Sequence, residues 1–177
     1  MNSDVIVLSD YGKGVITKEL AAKMIALANT HQVPVIVDPK GDNASKYAGA
    51  TYLTPNLSEF KQFTNVADIS NQNLIDEHAK KILTTHAIKN ILLTRSADGM
   101  SLITESDIKQ FSTKAVEVFD VSGAGDTVVA ALAFGLGNGW TASESIEFAN
   151  IAAGIVVSKV GTATTTIEEI DAHETHL

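Results

Sequence analysis

Between Asp120 and Thr127 the chain reads DVSGAGDT, two carboxylates bracketing a turn almost bare of side chains. The second, Asp126, stands at the mouth of an apolar run, VVAALAFGLG, that reads as a helix. Glycine lets a backbone come close to a ligand, and the amides that open a helix have no partner inside it. If the helix starts near Ala124, the N–H groups of Gly123, Ala124, Gly125 and Asp126 converge on one point, where the helix dipole adds partial positive charge. That is a hole for an anion. A carboxylate there can take a proton from a hydroxyl while the amides stabilise charge on a phosphoryl group in transfer. The same residues have a plainer reading, in which Asp126 complements the helix dipole and the glycines make a tight turn.

Other polar groups stand just beyond apolar runs. SDYGKG presents Asp10, Tyr11 and Lys13, and VDPKG presents Asp38 and Lys40. Lysine is a mobile point charge suited to phosphate, of a sugar or of a nucleotide, although an exposed lysine is commonly only solvated. In LTPNLSEF, Asn56 precedes Glu59 by three residues, the spacing of a reciprocal helix cap. The five histidines, at 31, 78, 86, 173 and 176, show no metal-ligand spacing, and no Ser-His-Asp arrangement is visible.

The elements that must position these groups alternate. DVIVLSD (Asp4 to Asp10) is a β-branched run, followed by a glycine-containing loop and TKELAAKMIALANTH. There Leu20, Met24, Leu27 and Ala28 recur at helical spacing behind Thr17, a natural N-cap. A second strand pattern covers Val33 to Val37, and a shorter third lies in ATYLTPN before the helix LSEFKQF. The pattern predicts a helix over Asn73 to Thr85. It predicts strands at Ile91 to Thr94 and Met100 to Ile103 around a turn at Asp98-Gly99, then helices at Ala124 to Leu136 and Ala142 to Lys159. The tail VGTATTTIEEI is too polar for a core helix. Strands alternating with helices imply an α/β fold, a mostly parallel sheet flanked by helices, with the hairpin adding antiparallel character. Ligands of such sheets bind beyond the carboxyl ends of the strands, where Asp10, Asp38, Asn56, Thr94 and the Gly-Ala-Gly turn emerge.

The 177 residues, 45% of them apolar, suffice for one domain with a substantial core. The net charge of −8, from 13 Lys+Arg and 21 Asp+Glu, argues against a broad nucleic-acid footprint or a polybasic membrane contact. No stretch approaches the roughly 20 apolar residues that span a bilayer, and the start shows no secretory signal pattern. A cytoplasmic location is the expectation. The absence of cysteine removes disulfides and thiol chemistry.

DVSGAGDT closely resembles the D-T-x-G-A-G-D signature of the ribokinase-like (PfkB) carbohydrate kinases, with Val121 where that family usually has Thr. The resemblance implies that Asp126 is the catalytic base and that Gly123, Ala124 and Gly125 form the anion hole. It also identifies Asn56 and Glu59 with the family's N-x-x-E motif, which helps organise Mg²⁺, its waters and the phosphates of ATP. Magnesium keeps much of its water shell, so a carboxylate with a nearby amide can hold it indirectly. LTRSADGMSLI resembles the strand-turn-strand bordering the nucleotide, with Thr94, Arg95 and Gly99 as the matching positions; an ordinary Asp-Gly hairpin also explains it. EFANIAAGIVVSKVGTAT resembles the helix and loop flanking adenine, with Asn150, Ala153 and Gly154 as candidate lining; small residues there also permit close helix packing.

The runs VLSDYGKGVIT, VDPKG, YLTPNLSEF and ANIAAGIVVSKVGTAT most resemble the kinase domain of the bacterial heptose enzymes. The implied reaction is phosphorylation of D-glycero-β-D-manno-heptose 7-phosphate at O1, a step toward the ADP-heptose precursor of lipopolysaccharide. The family's N-terminal strands, glycine-rich substrate motif and β-stranded lid have no counterpart before Asp4. The chain, 1–177, is therefore expected to be the C-terminal portion of such a domain, keeping the ATP side and losing much of the sugar site. Two other expectations stand beside this one: a nucleotide-binding or assembly module without turnover, and a relative that phosphorylates another sugar or nucleoside. An incomplete sheet exposes an edge, so self-association into a homo-oligomer is expected.

Overall fold

The structure, a computed structural model, describes residues 3–66, 68, 70–113 and 118–175. By its internal contacts the chain divides into two compact units, one running to Arg95 and taking in Ser101–Gln110, the other made of Ser96–Met100 and the chain from Phe111 onward.

The first unit is built on a sheet whose spatial order is its sequence order: β1 (Ile6–Ser9), β2 (Val35–Asp38), β3 (Tyr52–Leu53), β4 (Asn90–Thr94), β5 (Met100–Ile103) and β6 (Ile108–Phe111). The first four strands pair in parallel, with Leu8 opposite Val37, Val37 opposite Leu53 and Leu53 opposite Ile91. The loops on either side of β5 are too short for a crossover, so β4, β5 and β6 form an antiparallel meander. The sheet is therefore mixed. Between the strands come α1 (Lys18–Thr30), a short 3-10 turn (Ala44–Tyr47), α2 (Leu57–Thr64) and α3 (Gln72–His86).

Val35, Val37, Leu53, Ile91, Leu93 and Ile103 share one core with Ile25, Phe60, Ile75, Ile82 and Leu83 of the helices. The alternate residues Ile36, Tyr52 and Leu92 are buried as well, so both sheet faces are covered and the strands read as unbroken apolar runs. The N-cap on Thr17 forms as expected, its hydroxyl accepting from Leu20 N–H. The buried stripe of α1 keeps Ala28 of the expected one, and Met24 packs against the core, but the leucines do not. Ala21, Ile25 and Ala28 face inward, whereas Leu20 and Leu27 are 39% and 48% exposed. Alanines let the helix approach closely and complete the stripe; a pattern weighted toward leucine misplaces it by one position.

The second unit centres on α4 (Ala124–Gly137) and α5 (Ala142–Val157), which a short loop makes antiparallel neighbours. Phe134, Trp140 and Phe148 close one end of the pair, with ring centroids 5.3 to 5.7 Å apart. The polar tail does not enter the core but ends in a largely exposed helix, α6 (Ile167–Thr175). Among its described side chains Ile170 is the buried one, and its first turn is held by reciprocal bonds between Thr166 and Glu169 and by Lys159, 2.7 Å from Glu169. The strand β6 was not expected, because IKQF is short and has a single fully buried residue, Phe111. Among the described residues no helix is long and apolar enough to cross a membrane.

Helices α4 and α5 approach each other closely at Gly135. A Cβ there would lie 2.6 Å from Ser145 Oγ and 2.9 Å from Ser145 Cα, so a side chain must push the helices apart. Overpacking costs roughly 1–3 kcal/mol against a gain of about 1 kcal/mol in helix propensity. Gly135→Ala is therefore expected to lower the urea midpoint without changing the slope; an unchanged or raised midpoint would contradict this packing.

Candidate functional site

In the first unit the parallel register sets the ends of four strands along one edge. Asp10 follows β1 and donates its N–H to Asp38 O at the end of β2, 3.0 Å away. Asn56, beyond β3, bridges to Thr94 at the end of β4, with Thr94 N–H donating 3.0 Å to Pro55 O. Asp10, Asp38, Asn56 and Thr94 are thus brought to one place.

Asn56 and Glu59 form the reciprocal cap of α2. Asn56 Oδ1 accepts from Glu59 N–H at 2.9 Å, and Glu59 Oε2 accepts from Asn56 N–H at 3.1 Å. The remaining oxygen, Glu59 Oε1, accepts from Lys40 Nζ at 3.1 Å. The glutamate side chain is 11% exposed and the lysine's 53%. A buried carboxylate at a strand end offers the hard oxygen that suits magnesium. Among the described residues, however, no three His, Cys, Asp or Glu side chains gather around one point. The donor set fits an ion held by one carboxylate and otherwise by water and substrate phosphate.

Asp10 lies in the loop read as a candidate for meeting a phosphorylated sugar or ATP, and its carboxylate is committed inside the unit. It is 4% exposed. Its Oδ1 accepts from Gly12 N–H at 2.8 Å, and its Oδ2 accepts from the Tyr47 hydroxyl at 2.7 Å and pairs with Lys46. Burial alone would raise the Asp10 carboxyl; the hydrogen bonds from Lys46, Tyr47 and Gly12 and the lysine charge outweigh it and hold the group below the usual carboxylate range. Burial pushes the Tyr47 hydroxyl upward, and the Asp10 charge adds to that. Tyr47 also accepts from Lys40 N–H at 3.1 Å, which ties the Asp10 cluster to the VDPKG loop. Neither Lys46 nor Tyr47 was singled out in the sequence, where only a register of strands could have placed them beside Asp10. Lys13 is exposed and makes no ion pair among the described residues, and Asp38 is half-buried.

Arg95 turns toward α3, its Nη1 donating 2.5 Å to Gln72 Oε1 and 3.4 Å to Ser101 Oγ, while its Nε is buried with no partner among the described residues.

In the second unit the Asp120 to Asp126 turn is fastened from outside. Phe119 and Asp120 both donate their N–H to Val157 O at the end of α5, at 2.8 and 3.2 Å. Asp120 Oδ1 accepts from Ser122 N–H at 2.9 Å, and the Ser122 amide and hydroxyl, with the Gly161 amide, keep its carboxyl below the usual range. Gly123, the N-cap of α4, has φ +81°, a region that favours glycine, and as a glycine it makes no side-chain cap bond. Its carbonyl accepts from both the N–H and the hydroxyl of Thr127 at 2.9 Å. Ala124 N–H donates to Val121 O at 3.2 Å, which narrows the expected four-amide hole. Asp126 lies exposed in the first turn of α4.

The remaining candidates lie in the same unit. Asn150 is buried and donates from Nδ2 to Ser112 O at 2.6 Å; beside it on α5, Ala153 is half-buried and Gly154 buried. Gly99 has φ +83°, and a Cβ there would stand 2.0 Å from Phe111 O and 2.6 Å from Thr113 N. Gly99 is thus required by the backbone that packs on it.

A family model described as pfkB family carbohydrate kinase matches residues 1–169. Curated relatives include the bifunctional protein HldE of Sulfurimonas denitrificans, 46% identical over 98% of this chain and 36% of that protein. The protein of the same name from Paramagnetospirillum magneticum is 48% identical over 90% of this chain and 33% of that protein. The chain thus spans about a third of the length of these relatives. Among solved structures, ribokinase from Thermotoga maritima superposes with a TM-score of 0.80 at 26% identity, covering 98% of this chain and 57% of that one. Arabidopsis thaliana ribokinase complexed with ribose and ATP gives 0.84 at 23% identity, covering 96% and 55%.

The pH dependence of stability tests the Asp10 cluster. A carboxyl held below its unfolded value stabilises the fold above about pH 4 and loses that contribution as pH falls through the lowered value. Wild-type stability is expected to decline below about pH 4. Asp10→Asn should be less stable at neutral pH, by up to about 3 kcal/mol, and should show a shallower acid decline in urea titrations. Parallel acid limbs for the two proteins would show that Asp10 is not the group responsible.

Proposed function

The chain belongs to the pfkB family of carbohydrate kinases, and from that premise we propose that it carries the nucleotide side and the base of an ATP-dependent kinase acting on a sugar phosphate. The acceptor we infer is D-glycero-β-D-manno-heptose 7-phosphate, at O1. The single observation that carries the reading is Asp126, exposed in the first turn of a helix whose N-cap is a glycine without a side-chain cap bond, directly after Gly123-Ala124-Gly125.

Asp126 takes the proton of the acceptor hydroxyl. The oxygen so released forms its bond to the γ-phosphorus of ATP as the bond from that phosphorus to the ADP oxygen breaks. The amides of Gly123 and Gly125 and the dipole of α4 stabilise the charge on the phosphoryl oxygens in transfer. Asn56 and Glu59 are the residues that would hold magnesium, which when bound neutralises phosphate charge. Lys40 and Lys13, the exposed lysines beyond β2 and β1, are the candidate phosphate contacts. Thr94 lies beside Asn56 through their bridge, which supports the reading of the strand-end edge as the nucleotide phosphate side. Arg95 and Gly99 on its flank, and Asn150, Ala153 and Gly154 of α5, are read as shaping the nucleotide border rather than touching the reacting atoms. The heptose assignment rests on the likeness of the loops to the heptose-phosphate kinases and on relatives of 40 to 48% identity that share one name.

In the intact protein, ADP release with Mg-ATP and a panel of sugars, sugar phosphates and nucleosides is expected to be fastest with the heptose 7-phosphate. Asp126→Asn should lower kcat by about 10²- to 10⁴-fold while leaving the calorimetric affinity for Mg-ATP nearly unchanged. Turnover near the wild-type value in that variant would falsify the base assignment.

A further inference from the structure

The ion pair of Glu59 is made with a residue that is fixed at its backbone and half exposed along its side chain. Lys40 follows β2, and its backbone N–H is held 3.1 Å from the hydroxyl of Tyr47, which is itself fully buried and bonded to Asp10. A Cβ built on Gly12 would touch the Lys40 stem at 3.5 Å, so the SDYGKG loop borders the same side chain. Beyond this anchor the lysine is 53% exposed, while the side chain of its partner Glu59 is 11% exposed and, among the described residues, has only Lys40 on Oε1.

A carboxylate this buried needs a neutralising partner, and removing the partner is costly. A cation arriving at Oε1 meets the ammonium already there, and two like charges a few ångströms apart repel strongly where water is scarce. One must leave. The lysine can leave readily, because its tip is solvated and its pivot stays pinned by Tyr47. We propose that Lys40 is an exchangeable counter-ion: its ammonium neutralises Glu59 while no metal–nucleotide is bound, and moves to a phosphate oxygen when a divalent cation takes its place at Oε1. Lys40 is on this view a positioning residue for the strand-end edge, and Tyr47 sets the point about which it turns. The inference rests on the kinase reading for its second half, the move to phosphate, but not for its first.

The test separates the two halves by sign. In the intact protein, Mn²⁺ serves as the metal probe and is titrated by water-proton relaxation without nucleotide. Lys40→Met is expected to bind Mn²⁺ at least threefold more tightly than wild type, Lys40→Arg to stay within twofold of it, and Glu59→Gln to bind more weakly. In EDTA, Lys40→Met should melt below wild type and recover part of that loss when Mn²⁺ is added. With Mg²⁺ and a non-hydrolysable ATP analogue the order should reverse, Lys40→Met binding several-fold more weakly than wild type. Mn²⁺ affinity in Lys40→Met equal to or below wild type overturns the proposal. If Lys40→Met does not fold, Lys40→Gln is read by the same criteria. Tighter Mn²⁺ binding with no ATP-analogue binding by any form of the protein sustains the counter-ion and overturns the phosphate half together with the kinase reading.

Discussion

Parallel pairing imposes a single row on the first four strands. Leu8, Val37, Leu53 and Ile91 lie opposite one another across the sheet, and the residues that come after each of them in the chain must emerge on the same edge. A slip of one residue at any pair would exchange the two sheet faces for that strand, and both faces are already filled with large apolar side chains. The core therefore dictates where the polar residues go. It collects Asp10, Asp38 and the Asn56–Glu59 cap at one margin, where water is scarce for two of the three carboxylates. Gathering anions there is tolerable only with cations and donors to match, and Lys46, Tyr47 and Lys40 are those donors.

The second unit solves a related problem from the opposite direction. Its critical turn has almost no side chains with which to hold itself, so its shape is imposed by neighbours. Val157 O receives two amides of the turn, and Thr127 reaches back to the carbonyl of Gly123. Helix α5 thus supports the turn with its last carbonyls while its middle, at Asn150, fastens the backbone at Ser112. Because its N-cap is Gly123, the start of α4 makes no side-chain cap bond of its own.

Much of this architecture was legible in the residues. The runs expected to end at Thr94 and Ile103 ended there, the run from Val33 stopped one residue short of the end of β2, Thr17 capped its helix, and the helix after Gly123 began at Ala124. The failures have physical causes. The alanine at 21 carries little hydrophobic signal yet permits close packing, so Leu20 was placed inward in its stead while Ala28 was placed correctly. The helix α6 needs one buried isoleucine and a good first turn, a weaker pattern than periodicity detects. At the candidate site, short-range geometry was readable and long-range geometry was not. Asn56 and Glu59 are three residues apart, and their mutual bonds follow from spacing. Lys40 and Glu59 are 19 residues apart, and Tyr47 and Asp10 are 37; those pairs exist only because of the register between strands. Gly99 shows how one residue type can carry two readings, since the proximity of Phe111 O accounts for it without any ligand.

Strand order that equals sequence order also bears on how the first unit is made. Each strand finds its neighbour already present in the chain behind it, and no strand must wait for a later one to be inserted between two others. Loop closure proceeds in short steps of a helix or a turn, which keeps contacts local for a sheet that is largely parallel and would otherwise be slow to assemble.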